Sequence, residues 1–105
     1  MTTFYPASQA MGVPNFASGV ITSDNAAGTV RLGFKARHVE VLNETDVILW
    51  TKMEGMAAAN TRKVVTAGDL TIDTASAIVI NTDGTFTISA TAMGNAKALR
   101  WSAWG

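Results

Sequence analysis

From Gly28 to Trp104, short runs of aliphatic and aromatic residues alternate with threonine and small polar residues. Leu70-Thr71-Ile72-Asp73, Ser76-Ala77-Ile78-Val79-Ile80-Asn81 and Thr85-Phe86-Thr87-Ile88-Ser89-Ala90 carry the period of two of a pleated strand. Lys97-Ala98-Leu99-Arg100-Trp101-Ser102-Ala103-Trp104 repeats it. Val30, Leu32 and Phe34 alternate with Arg31 and Gly33, and Val39 and Val41 with His38 and Glu40, which predicts two further strands. Residues 47–53 read as apolar on both faces, with Trp50 the largest side chain, and predict a central strand covered on both sides. Strand character resumes at residues 63–66. Residues 54–60 form one helical turn or a loop, being too few for an independent helix. Polar turns recur about every ten residues. The chain is therefore expected to be all-β: a compact antiparallel β-sandwich or β-barrel of short strands with an extended N-terminal arm.

The hairpin at Thr82-Asp83-Gly84 has two possible registers. A two-residue Asp-Gly turn mixes apolar and polar partners. A three-residue loop, with Gly84 left-handed, pairs Ile80 with Phe86, Ile78 with Ile88 and Ser76 with Ala90. One face is then uniformly apolar, so the three-residue loop with a glycine bulge is the expected register.

Residues 1–25 differ from the single β domain predicted for 26–105. Both prolines, Pro6 and Pro14, lie here among scattered aromatics, and no period is sustained beyond a short strand at Gly19-Val20-Ile21-Thr22. A disordered tail usually carries more charge and fewer aromatics. The segment is expected to be an extended arm that latches onto a neighbouring subunit, with Phe4, Tyr5 and Phe16 as anchors.

Eight basic residues balance eight acidic ones, and only 15% of the chain is charged, against roughly 25% in an average domain. No cationic face is visible to neutralise phosphates, so no nucleic-acid partner is expected. A near-neutral surface has little repulsion to keep copies apart and suits a protein packed against others. No apolar run exceeds four residues, so no membrane span is expected, and no basic-then-apolar leader is visible. Asn43-Glu44-Thr45 fits a glycosylation sequon and is read as chance.

Chemistry is sparse. His38 is the only histidine and there is no cysteine, which excludes disulfides, thiolate catalysis and Cys-based zinc sites. His38 has no local nucleophile motif beside it, and the acids fall mostly in or near turns. No phosphate loop, dinucleotide fingerprint, nucleophile elbow or calcium loop occurs. No catalytic residue, cofactor or metal is therefore expected. Trp101 and Trp104 are three apart and point to opposite strand faces. Trp101 is expected to join Leu99 and Ala103 in the core, leaving Trp104 exposed. Beside Arg100 it is a candidate interface anchor, because Trp and Arg dominate binding hot spots.

The chain resembles small head-associated virion proteins of tailed bacteriophages, of the decoration or cement type. The resemblance rests on Gly33-Phe34-Lys35-Ala36-Arg37-His38-Val39-Glu40-Val41-Leu42-Asn43-Glu44-Thr45-Asp46, then Trp50, Glu54-Gly55-Met56, Thr66-Ala67-Gly68 and Ala96-Lys97-Ala98-Leu99-Arg100-Trp101-Ser102-Ala103-Trp104. It spans most of residues 28–105, leaves the N-terminal arm unmatched and brings no catalytic residues. It implies an oligomer, often a trimer, that binds the major capsid protein on the outer surface of the head after synthesis in the host cytoplasm. The alternative expectation is a carbohydrate- or host-surface-binding module of a tail fibre or other virion component, using Trp104, Trp50 or Tyr5.

Overall fold

The computed structural model describes residues 15–105. Nine strands are formed: β1 (Phe16–Asp24), β2 (Gly28–Arg31), β3 (His38–Asn43), β4 (Ile48–Met53), β5 (Thr61–Val64), β6 (Leu70–Asp73), β7 (Ile78–Ile80), β8 (Thr85–Ile88) and β9 (Asn95–Trp104). One helical turn, α1 (Ala90–Met93), precedes β9. Six strands pair in the order β1-β9-β3-β4-β5-β6 and three in the order β2-β8-β7. Every pairing is antiparallel. The large sheet keeps two edges, β1 and β6, so the fold is a sandwich of two layers and not a closed barrel.

Alternate residues of the large sheet meet the small one. Val39, Val41, Trp50, Leu99 and Ala103 point inward and are buried against Ile78, Phe86 and Ile88. The Phe86 ring lies edge-on to Trp101 with centroids 5.5 Å apart. Burying aliphatic and aromatic side chains of this size contributes about 1.5–3 kcal/mol each, so this layer carries the stability.

The hairpin register follows from the buried face as expected. Ile78 pairs with Ile88 and Ile80 with Phe86, and Gly84 sits at φ 82°. The Ser76–Ala90 pair does not form, because the Ser89 hydroxyl accepts the Ala92 N–H at 3.1 Å and starts α1. The strand expected at residues 30–34 ends at Arg31, since Gly33 turns left-handed at φ 82°. The central strand begins at Ile48, because Val47 takes φ 56° in the preceding turn. The small sheet covers its inward side, where Trp50 and Lys52 are buried; on its other side Thr51 is buried too, beside Arg62, while Met53 stays exposed. The segment 54–60 is a turn-rich loop. The Lys52 ammonium donates to the carbonyls of Ala57 (2.6 Å), Ala58 (3.1 Å) and Asn60 (2.7 Å) and ties that loop to β4. Asn43, of the sequon, is buried, and its amide oxygen accepts the Asp46 N–H at 2.9 Å.

The arm expected over residues 1–25 is corrected at its C-terminal end. Phe16–Asp24 is a nine-residue edge strand paired with β9 from Phe16–Trp104 to Asp24–Asn95. Its inward positions are small at Ala17 and Gly19, which hid the alternation. The indole of Trp101 fills the space over Gly19, where an added Cβ would lie 2.8 Å from three ring atoms. Phe4 and Tyr5 lie outside the described residues.

Candidate functional site

The second face of the large sheet has no layer over it among the described residues. Register places Phe16, Trp104, His38 and Met53 in one row across β1, β9, β3 and β4. The next row on the same face is Ser18, Ser102, Glu40, Thr51, Arg62 and Ile72. The third is Val20, Arg100, Leu42, Leu49, Val64 and Leu70. Of the large apolar side chains that stay exposed, all but Val47 belong to these rows. Leu70 is 63% exposed, Val20 62% and Ile72 53%. These apolar side chains lie on the edge strands and in the first row, with Glu40, Arg62 and Arg100 between them, so the face is amphipathic.

Within this face one corner is aromatic and polar together. Trp104 has the Phe16 ring centroid at 5.4 Å and the His38 imidazole at 5.0 Å, the latter nearly perpendicular. His38 Nε2 lies 3.1 Å from Glu40 Oε1. Being two apart on β3, the two side chains share a face, a relation the sequence spacing already contains. A shallow depression of about 370 Å³ is lined by His38, Glu40 and Trp104. No hydroxyl among the described residues hydrogen-bonds His38.

Of the anticipated anchors, Phe16 and Trp104 touch. Arg100 shares their face two rows away, with its Nε 2.7 Å from Glu44 Oε1. Trp50, the second tryptophan considered for carbohydrate stacking, is corrected. It is 5% exposed and points inward, with Lys63 Nζ 4.7 Å from its ring centroid. A further cavity of about 190 Å³ lies under the 54–58 loop beside Lys52 and Met56, where the ammonium is already committed to carbonyls. Among the described residues no cluster of three or more His, Cys, Asp or Glu has the proximity to hold a metal ion. Among the described residues no helix is long and apolar enough to cross a membrane.

No family model matches the chain, and neither a curated protein nor a solved structure matches it at a significant level.

Proposed function

We propose that the protein is a structural adhesion module, a capsid decoration or cement protein of a tailed bacteriophage, and that the outer face of its large sheet is the adhesive surface. The observation that supports this reading is that face itself: Val20, Leu70 and Ile72 stand in water on the two edge strands of the large sheet. The face is amphipathic, with apolar side chains on its edge strands and Arg100, Glu40 and Arg62 between them, and non-obligate protein interfaces are likewise mixed in polarity. The strand pattern resembling head-associated proteins supplies the class of partner, the major capsid protein. Self-association as a trimer belongs to the same reading, because many weakly bound copies on one shell reach an avidity that a single contact does not.

The test is cosedimentation with purified shells of the major capsid protein, using wild type and the double variant Leu70→Asp, Ile72→Asp. Wild type is expected to pellet with the shells and the variant to stay in the supernatant. A variant that binds as well as wild type refutes the outer face as the adhesive surface. Light scattering on the free protein is expected to give about three times 11.0 kDa; a monomer removes the trimer from the reading.

A further inference from the structure

We infer that Phe16, Trp104, His38 and Glu40 form a saccharide-binding platform at the corner of the outer face. The inference stands on different residues from the adhesion reading and does not depend on it. Two adjacent rows of the sheet divide the work. Phe16, Trp104 and His38 make a row of rings, and Ser18, Ser102 and Glu40 make a row of hydroxyls and a carboxylate. Neighbouring rows on one face lie about 7 Å apart, so a single sugar ring resting on Trp104 reaches the polar row with its hydroxyl edge.

The chemistry of each row matches one side of a sugar. Trp104 is 38% exposed and offers apolar ring surface to the C–H face of a pyranose. Glu40 accepts hydroxyl protons. Its Oε1 is tied to His38, while Oε2 has no hydrogen-bond partner among the described residues. The other ion pairs of the described chain are Arg37–Glu54, Lys97–Asp46 and Arg100–Glu44, so no Lys or Arg shares Glu40. The hydroxyls of Ser18 and Ser102 are likewise uncommitted among the described residues, and a hydroxyl both donates and accepts. Trp50, the alternative stacking ring, is buried.

A cationic ligand fits less well. It brings no acceptor, so it leaves the Ser18 and Ser102 O–H donors with nothing to accept them, and the open depression encloses it on too few sides for a desolvated cation–π contact. A saccharide brings both donors and acceptors and lies flat on an open surface.

The experiment is an NMR titration that follows the Trp104 indole N–H with glucose, galactose, rhamnose and N-acetylglucosamine, alongside binding of the fluorescently labelled protein to an array of bacterial and animal glycans. At least one saccharide class is expected to shift the Trp104 signal and to bind on the array. Trp104→Ala is expected to weaken that binding at least about tenfold, which is about 1.4 kcal/mol. Glu40→Gln is expected to weaken it several-fold and Trp104→Tyr to retain most of it. Leu70→Asp, Ile72→Asp is expected to leave it unchanged, which separates this site from shell adhesion. The inference is overturned if no glycan binds and the indole signal does not move, if arginine methyl ester or tetramethylammonium binds in place of the sugars, or if folded Trp104→Ala binds glycans as wild type does.

Discussion

The two faces of the six-stranded sheet are built from the same strands and the same turns, yet they do different things. On β3, Val39, Val41 and Asn43 are buried while His38, Glu40 and Leu42 are not. On β1, Phe16 and Val20 stand in solvent while Trp101 packs over Gly19 between them. Apolar side chains occur on both faces, so hydrophobicity alone does not separate core from surface here. What separates them is a second layer: the inward residues meet β7 and β8, and the outward ones have no second sheet over them among the described residues. The inner face accounts for folding, and the outer face is where the proposed binding is assigned.

That division is tested first by truncating one apolar side chain on each side. Phe86→Ala removes a fully buried ring in edge contact with Trp101 and is expected to destabilise by about 3–5 kcal/mol. Leu70→Ser, on the outer face, is expected to change stability by no more than about 0.5 kcal/mol. Urea denaturation followed by tryptophan fluorescence measures both. A large cost at Leu70 shows that the outer face is covered in solution and erases the contrast.

The inner face was the legible part of the sequence. The 80s hairpin register, the inward Trp101 and the outward Trp104 all follow from one rule, that the uniformly apolar side is buried. The rule fails where the outer face is apolar too. In β1 the bulky residues Phe16 and Val20 face out and the small Ala17 and Gly19 face in, because Trp101 supplies the missing volume from the next strand. No single-strand pattern contains that information, so only residues 19–22 read as a short strand and the rest as an arm. The corner site was half legible. The spacing of His38 and Glu40 puts them on one face, but their meeting with Trp104 and Phe16 depends on strand order, which pairs the first and last described strands. Residues 1–14, with the anchors proposed at Phe4 and Tyr5, lie outside the described structure.

The next contrast concerns a charge on the apolar side. Lys52 faces inward and is 5% exposed, and no carboxylate answers it. Its three carbonyl partners hold the 54–60 loop against the sheet. Lys52→Met keeps the aliphatic stem and removes the donors, leaving those carbonyls unpaired, and is expected to cost about 2–3 kcal/mol. Burial pushes the Lys52 ammonium below the ordinary lysine value of 10.5. Between the lowered folded value and 10.5 the unfolded chain holds this proton and the folded chain does not. This group therefore adds stability as pH rises through that window, with no change well below it. The difference in stability between wild type and Lys52→Met is expected to widen towards pH 10; a difference that narrows contradicts the burial of the ammonium.

The smallest effect tests the tightest contact between adjacent strands. At Gly19 any side chain presses on the face of the Trp101 indole, and an alanine Cβ would lie 2.8 Å from Cε2, Cζ2 and Nε1. The ring has limited freedom to retreat, since its other side meets Phe86. Gly19→Ala restricts the unfolded chain, a gain of about 0.4–1 kcal/mol, but overpacking costs about 1–3 kcal/mol. The net loss is expected to be about 1–2 kcal/mol. Ser18→Ala, one residue away and facing out, is the control and is expected to change stability by less than about 0.5 kcal/mol. The cause is isolated by a double-mutant cycle with Trp101→Leu, which removes the ring that alanine meets. If the clash is the cause, Gly19→Ala turns neutral or stabilising in the Trp101→Leu background. If its cost persists there, the restriction at Gly19 comes from the β1 backbone, and the indole is not what fixes the edge strand to the inner face.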